Sequence, residues 1–481
     1  MVSANRVGVI VLAAGMGKRM QSPLPKVLHP LGGKPLLFHV LSQVKRTLPS
    51  ASVGIIVGHG RVEVEAFVRR EPSLKGMDFH FIVQEKQLGT GHAIQCAMNS
   101  PWGVEKTRSC PHFLVLPGDL PLITQEMLEP MVVSLKKGEA MRLLTCTLEN
   151  PTSYGRIIRK GIRGSVLRIV EEKDCTAKEK KIQEVATSIY LFETQFLQEG
   201  LKRLSNQNAQ REYYLTDLVA HAAKKKKKNT VLTWSNSEEL RGVNDLWELA
   251  QVSALLNERI LRKWALQGVT FMDPRTTQVE VGVYLEAGIT VHPGVILRGE
   301  TSIGAGSVIG PRVVLDRVIV GRNVQLKTGT VAEQSQIEAH AQVGPFAHLR
   351  PESHVGKGAK IGNFVELKKT QVGEKTSIAH LSYLGDAVVG SGVNIGCGFV
   401  TCNYDGRIID GARKHRTVID DDAFIGSDCQ AVAPVRIGQG AYVASGSTIT
   451  EDVPPGALAI ARSRQINKLG YVKKEILCAE S

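Results

Sequence analysis

Four groups of residues in this 481-residue chain have the types and spacing that chemistry needs. The first is Ala13-Ala14-Gly15-Met16-Gly17-Lys18-Arg19-Met20, with Lys26 following in Leu24-Pro25-Lys26-Val27. Small residues let a backbone approach a phosphate closely, its N–H groups can point at the anion, and Arg19 and Lys26 can neutralise a triphosphate. It is not a Walker loop, because Arg rather than Ser or Thr follows Lys18. Nor is it a complete dinucleotide fingerprint, because Met20 stands where the third glycine would be. The second and third groups are Gln84-Glu85-Lys86-Gln87-Leu88-Gly89-Thr90-Gly91-His92 and Pro117-Gly118-Asp119-Leu120-Pro121. Asp119 suits Mg2+, which usually takes only one or two protein oxygens beside phosphate and water, and it suits equally a turn bonding its own backbone. His92 reads as a capping or packing residue. The fourth group surrounds His380, a residue type whose unperturbed pKa lies near neutrality and which suits taking a proton from an amine. On spacing alone, a lone histidine inside a repeat is more often packed than catalytic.

These groups need elements to hold them. Val7–Leu12 is a continuous apolar run, the pattern of a strand buried on both faces of a parallel sheet. Val53–Val57, Phe79–Val83 and Phe113–Leu116 repeat it with helical segments between, which predicts an α/β doubly wound sheet whose sites gather at the carboxyl ends of strands. Tyr154–Ile157 and Ile169–Lys173 bracket a hairpin, and Thr187-Ser188-Ile189-Tyr190 opens another strand. Further on, aliphatic residues return every six positions at Ile337, Val343, Leu349, Val355, Ile361 and Leu367, then at Val372, Ile378, Leu384, Val389 and Ile395. Six matches neither helix nor flat strand, so the chain must bend regularly, one short strand per hexad, three hexads to a coil. Running from about Val281 to Ile449, the rhythm predicts roughly nine coils about 4.8 Å apart, a prism near 45 Å long. A sandwich of short strands would lack the phase-locked six. Between the halves, Leu246, Leu249, Val252, Leu256, Ile260 and Trp264 line one face of a helix, with Asp245 and Glu248 as its capping pair and Gly268 as its stop. The domain boundaries expected are 1–244, a linker helix at 245–268, a hexad domain at 269–463 and a tail at 464–481.

Composition narrows the partners. No run of 18 apolar residues or secretory leader is visible, so the expectation is a soluble, cytoplasmic protein with no membrane insertion. Eight scattered cysteines include no Cys-x-x-Cys pair, which reads as buried free thiols. The formal charge of +14 favours anionic partners. Lys224–Lys228 has no aromatic or recognition motif beside it, so it reads as a solvated loop or helix end rather than a nucleic-acid patch. Flat repeat faces with few aromatics predict burial of one face against copies of the chain.

Leu12-Ala13-Ala14-Gly15-x-Gly17-x-Arg19-Met20 with Lys26 and Gln87–His92 resembles the sugar-nucleotide pyrophosphorylases. Together with Asn363-Phe364-Val365-Glu366-Leu367-Lys368-Lys369, His380–Asp386 and Thr401-Cys402-Asn403-Tyr404-Asp405-Gly406, the chain resembles a narrower family from about residue 5 to 465. That family is the bifunctional N-acetylglucosamine-1-phosphate uridylyltransferases and glucosamine-1-phosphate acetyltransferases. The resemblance implies a left-handed parallel β-helix, a homotrimer, and two reactions. Acetyl-CoA acetylates glucosamine-1-phosphate; N-acetylglucosamine-1-phosphate then reacts with UTP to give UDP-N-acetylglucosamine and pyrophosphate.

Carried over by motif, the resemblance puts Leu12, Ala13 and Gly15 on the nucleotide, Arg19 and Lys26 on its phosphates, and Gln84, Gln87, Gly89 and Thr90 on the uridine. It gives Mg2+ to Asp119 and Asn244 of Gly242-Val243-Asn244, and the sugar to Gly155, Glu171 and Thr187. In the repeat it makes His380 the general base, with Arg350, Lys368, Tyr383 and Asn394 on the sugar phosphate and Asn403 and Tyr404 orienting substrate or base. Ser427 would support the acetyl transition state, and Cys397, Ser445 and Arg462 would contact acetyl-CoA. Four departures stand out. Pro117 replaces a frequent Tyr, Cys397 a small residue, Arg407–Arg413 is about five residues longer than the pattern, and Ala186 and Ser188 flank Thr187 where Asn and Gly are usual. Alanine cannot make the amide's bond to the sugar, so Ala186→Asn should lower that KM unless Ser188 or a water supplies the contact. The rival readings are a single-activity pyrophosphorylase with a purely structural rod, and a non-enzymatic scaffold; His380 with Asn403-Tyr404 argues against the first, since a purely structural rod has no need of them, and absence of both products would favour the second.

Overall fold

The computed structural model describes residues 7–161, 164–406, 408, 411 and 413–471. The chain folds as two compact units that divide after Leu256.

The first unit is built on a nine-stranded mixed sheet. Its strands are β1 (Val7–Leu12), β2 (Ser52–Val57), β3 (Asp78–Val83), β4 (His112–Pro117), β5 (Glu139–Thr147), β6 (Arg156–Arg159), β7 (Val166–Val170), β8 (Glu184–Glu193) and β9 (Lys228–Trp234). The order is β9-β5-β8-β4-β1-β2-β3, with the β6–β7 hairpin attached to β8. Strands β4, β1, β2 and β3 run parallel, and β8 enters antiparallel between β4 and β5. Helices α1 (Leu36–Thr47), α2 (Arg61–Arg70), α3 (Thr90–Asn99), α4 (Pro101–Ser109), α5 (Gln125–Met131), α6 (Thr194–Leu201) and α7 (Asp217–Lys224) accompany it. The apolar run of β1 is explained by the two cores it serves. Val7, Val9 and Val11 belong to one buried cluster, and Ile10 to the other. Lys224 ends α7 and Lys228 begins β9, so the lysine run is a helix end and turn. Lys225 and Lys227 pair with Glu199 and Glu193.

One irregularity matters later. Along the β8–β5 ladder, Ala186 pairs with Thr145 but Tyr190 pairs with Leu143, so β8 bulges between them. Ser188 sits inside this bulge at φ +61°, a left-handed conformation that favours glycine.

Helix α8 (Leu246–Leu266) spans the division between the units. The Asp245 carboxylate accepts from the Glu248 N–H at 2.8 Å, as the capping pair requires.

The second unit is a left-handed parallel β-helix, whose two- to four-residue strands stack into three sheets of eleven, ten and nine. Coil-to-coil partners stand seventeen or eighteen residues apart over most of the stack, as in Leu326–Val343 and Val343–Ile361. Every aliphatic in the six-residue ladder from Ile337 to Ile395 is buried in one continuous core. Threonine and serine fill inner corners by bonding the next coil's backbone, as Thr370 Oγ1 does to the Leu384 carbonyl at 2.9 Å. At the start of the stack, Leu261 and Trp264 of α8 join the core of the first coil. The Asn257 amide bonds that coil's edge, donating to the Thr277 carbonyl at 2.8 Å and accepting from the Val279 N–H at 3.0 Å. No helix among the described residues is long and apolar enough to cross a membrane.

The seven described cysteines are free, but only Cys110, Cys146 and Cys429 are buried and Cys397 is exposed, which corrects the uniform buried reading. Cys478 and most of Arg407–Arg413 lie outside the described residues, as does the end of the tail.

Candidate active sites

At the carboxyl ends of β1, β2, β3 and β4 the backbone stitches four loops together. Ala13 N donates to the Ile56 carbonyl, Gln84 N to that of Val57, and Gly118 N to that of Leu12. This is where an open parallel sheet gathers its ligand-binding groups. A Cβ at Gly15 would meet nothing within 4 Å, whereas one at Gly17, which has φ +58°, would come within 2.7 Å of Lys26 Cβ. Glycine at 15 therefore leaves the loop backbone open, and glycine at 17 lets Lys26 pass close beneath it. Arg19 lies on the short helical turn Lys18–Met20 and is exposed.

Gln87 Nε2 donates to the Ala14 carbonyl at 2.5 Å, tying the second motif to the first. Gln84 Nε2 reaches the Gly89 carbonyl at 3.2 Å and His92 Nδ1 at 3.1 Å, which gives His92 the packing role. Thr90 Oγ1 accepts from Leu215 N, and Gly91 N donates to the Tyr213 carbonyl, anchoring this loop to the segment before α7. Met16, Gly58, Val83, Gln84, Glu85 and Gln87 line a cleft at this edge.

Val243 N donates to the Asp119 carbonyl, bringing Asn244 beside Asp119 across the sheet end. Between their side chains lies the Lys26 ammonium, 2.5 Å from Asp119 Oδ2 and 2.9 Å from Asn244 Oδ1. Two oxygens of different chain segments thus converge on one cation position. A carboxylate and an amide carbonyl form a hard donor set of the number Mg2+ takes from protein, so the residues fit that ion. Among the described residues no cluster of three or more His, Cys, Asp or Glu could hold a metal.

The hairpin and bulge supply a second wall. Glu171 is held above the usual carboxylate range, first by burial and then by Asp217, Asp174 and Glu212, with a bond from Thr216 Oγ1 at 2.9 Å opposing them. A Cβ at Gly155 would come within 2.9 Å of Ile169 Cγ2 and 3.5 Å of Glu171 Oε2, so glycine here lets this segment pack against both residues. Behind them the buried Arg156 pairs with Glu172 at 2.5 Å, linking the neighbours of both residues across the hairpin. Thr187 faces elsewhere: its hydroxyl is buried and bonds the Leu144 carbonyl at 2.8 Å.

In the β-helix, one corner carries a column of singled-out residues. His380 pairs in register with Asn363 one coil earlier, and His380 Nδ1 lies 2.9 Å from Asn363 Oδ1. The corner continues coil by coil. Gly398 N donates to the Leu381 carbonyl, Asp428 N to that of Cys397, Gly446 N to that of Ser427, and Arg462 to that of Ser445. His380, Cys397, Ser427, Ser445 and Arg462 therefore form one file along the prism.

On the adjoining face, Arg350 pairs with Glu366 at 2.9 Å, and Glu366 is in register with Tyr383. Arg350 N donates to the Leu367 carbonyl, which sets Arg350 and Lys368 in neighbouring coils. A Cβ at Gly385 would collide with Tyr383 Oη and Asn403 Nδ2, so those two side chains converge over a glycine. Asn403 donates to Asp386 at 2.6 Å, and the exposed Tyr404 ring carries Lys414 at 4.4 Å. Asn394 is not brought to this group within one chain; it aligns with Ser377 and Phe424, on the same sheet as His380 but three residues from its column. Sequence reasoning missed Asn363, Asp386 and Thr216 as site members. The first two lay inside quoted motifs, and their one-coil spacing to His380 and Asn403 was the available signal.

Two comparisons with known proteins bear on these sites. The MobA-like NTP transferase domain matches residues 9–184. Over nearly the full length, the chain is similar to the bifunctional protein GlmU of Geotalea uraniireducens, 42% identical over 472 residues that cover 98% of this chain and 100% of that one. It is similar also to that of Brevibacillus brevis, 42% identical over 471 residues and 98% of each chain, and to that of Pelobacter propionicus, 43% identical over 468 residues covering 97% and 98%.

Proposed function

We propose the following division of labour in a chain that belongs to the bifunctional GlmU family, an enzyme that acetylates glucosamine-1-phosphate from acetyl-CoA and couples N-acetylglucosamine-1-phosphate to UTP. The uridylyl reaction runs at the carboxyl edge of the first unit's sheet. There the sugar phosphate oxygen attacks the α-phosphorus of UTP in line, the bond to the β-phosphate oxygen breaks, and pyrophosphate leaves. No covalent nucleophile is needed, so the protein's contribution is positioning and charge compensation. Leu12, Ala13 and Gly15 offer backbone to the nucleotide, Arg19 and Lys26 face its phosphates, and Gln84, Gln87, Gly89 and Thr90 hold the uracil side. Asp119 and Asn244 would hold Mg2+, which when bound offsets phosphate charge. Gly155 and Glu171 receive the sugar.

The acetyl reaction runs at the corner file of the β-helix. The observation that carries this assignment is the His380–Asn363 contact of 2.9 Å. An Nδ1–H donated to the amide oxygen fixes the tautomer in which Nε2 is unprotonated and able to take the proton of the attacking amine. The amine nitrogen then bonds the acetyl carbon, and the C–S bond breaks to release coenzyme A. Arg350, Lys368 and Tyr383 receive the sugar phosphate, Asn403 and Tyr404 orient the acceptor, and the file Cys397–Ser427–Ser445–Arg462 lies along acetyl-CoA. Asn394 completes the site from another subunit of a homotrimer. The setting is cytoplasmic, where these nucleotide and thioester substrates are made, and neither nucleic acid nor membrane is a partner.

Incubating the protein with glucosamine-1-phosphate, acetyl-CoA, UTP and Mg2+ tests this directly. Asp119→Ala should suppress pyrophosphate release while thiol release continues, and His380→Ala should do the reverse. Loss of both from either change, in a folded protein, would defeat the assignment of two independent sites.

A further inference from the structure

We infer that His415 and Asp405 are positioning residues for acetyl transfer, a pair that holds Asn403 and Tyr404 where they orient the amino sugar. The inference deepens the acetyl-site reading given above and rests on it.

Asn403 and Tyr404 need such support. The strand Val400–Cys402 ends just before them and the next begins at Thr417, so no sheet ladder fixes either residue. Orienting groups work only when they are held in place, because small displacements of a bound substrate cost rate steeply. Three contacts return to this segment from His415 and its neighbour. The His415 N–H donates to the Asn403 carbonyl at 3.0 Å. The His415 ring Nε2 lies 3.4 Å from Asp405 Oδ1. Lys414, one residue earlier, sets its ammonium 4.4 Å from the centre of the Tyr404 ring. His415 thus ties Asn403 through its backbone and Asp405 through its side chain, and Tyr404 between them is covered on one face by Lys414. From the other side Asn403 is fixed through its own amide, which donates to Asp386 at 2.6 Å.

Burial shows why the tie is a histidine. His415 is 6% exposed, whereas Tyr404 and Asp405 are both exposed. Its Nε2 is buried and has no hydrogen-bond partner among the described residues, so its contact with Asp405 is one of charge and proximity. An apolar side chain would fill the same space at less cost, since a buried ring nitrogen lacking a hydrogen bond is destabilising. What the imidazole adds is attraction to the Asp405 carboxylate, stronger beneath the segment than it would be in open water. The exposed end of the segment is thereby drawn onto a buried anchor. Such a tie acts on the geometry of the acceptor site, and the file Cys397–Ser427–Ser445–Arg462 stands apart from it.

The test is steady-state acetyl transfer by the full-length protein, read as thiol release from acetyl-CoA with glucosamine-1-phosphate as acceptor. Pyrophosphate release from UTP and N-acetylglucosamine-1-phosphate, with thermal melting, reports on the integrity of each variant. Asp405→Asn and His415→Leu should each raise KM for glucosamine-1-phosphate roughly two- to tenfold, the effect of one polar contact, and lower kcat, with KM for acetyl-CoA and the uridylyl rate unchanged. His415→Gln, whose amide can still donate to Asp405, should stay closer to wild type than His415→Leu. The double variant Asp405→Asn with His415→Leu should lose no more than the worse single one, because the two residues act as a unit. Losses that multiply would make their roles independent and overturn the inference. A lower melting temperature with KM raised equally for both substrates would make the role merely structural and overturn it too. If wild type releases thiol and both single variants keep its kinetics, this inference falls and the acetyl-site reading stands. Absence of thiol release by wild type would overturn that reading as well.

Discussion

Lys26 occupies the position that the proposed metal would need. Its ammonium holds the position on which Asp119 Oδ2 and Asn244 Oδ1 converge, with both partners of the ion pair largely screened from water. A metal ion arriving there must displace it, and the displaced ammonium is then available to phosphate. Lys26→Met should therefore bind Mn2+ several-fold more tightly in the absence of nucleotide, read by titration of the Mn2+ paramagnetic signal, and bind UTP more weakly. Equal Mn2+ affinity would show that ammonium and metal do not compete. Glu171 makes a second prediction. Its folded-state pKa is raised, chiefly by burial, so ionisation opposes folding: the cost is absent below the ordinary carboxylate range and grows as pH rises toward the folded pKa. Glu171→Gln should melt above wild type at pH 8 and with it near pH 4, while raising KM for the sugar phosphate. Residues within one contiguous motif, such as Gly15 and Lys26, were legible in the sequence because spacing alone presents them. Asn363 and Thr216 were not. Their roles arise from partners one coil or several strands away, a distance that local pattern does not encode.

At the scale of elements, the β-helix was the more readable half. A six-residue aliphatic period has no other simple solution, and each ladder residue from Ile337 to Ile395 is buried. Ile378 is such a residue, and it shares a strand with His380. Ile378→Ala should cost about 2–5 kcal/mol in denaturant unfolding, the usual range for a large-to-small core change. It should lower acetyl transfer more than uridylyl transfer. What the period did not reveal is the corner chemistry. Phe346, Phe364 and Leu381 all take positive φ, where sequence preference would look for glycine or asparagine. The stack overrides that preference, since Phe364 N bonds the Phe346 carbonyl and Leu381 N bonds that of Asn363. The β8 bulge was hidden for a related reason: Ala186–Tyr190 reads as an ordinary strand, and only pairing with β5 exposes the extra residues.

For the whole molecule, the same corner bears on assembly. Phe346 and Phe364 stack at 5.8 Å and 10°, more than half exposed like Leu381 above them, and this apolar edge adjoins His380. Light scattering should give the mass of three 52.3 kDa chains. Phe346→Ser with Phe364→Ser should lower that mass and abolish acetyl transfer while UTP-dependent turnover persists; an unchanged mass would remove this edge from the interface. The charge was visible in composition and the division into halves in the strand runs and the six-residue repeat, whereas the Phe346–Phe364 ridge forms only in three dimensions. A final consequence concerns the first coil. In-register parallel strands end in an unpaired edge, the geometry on which amyloid grows by templating. Here the latter half of α8 blunts that edge, with Leu261 and Trp264 plugging the core and the Asn257 amide occupying backbone groups that another strand would take. The segment read from sequence as a connector is thus also a stopper, and without it the rods could polymerise end to end into fibres.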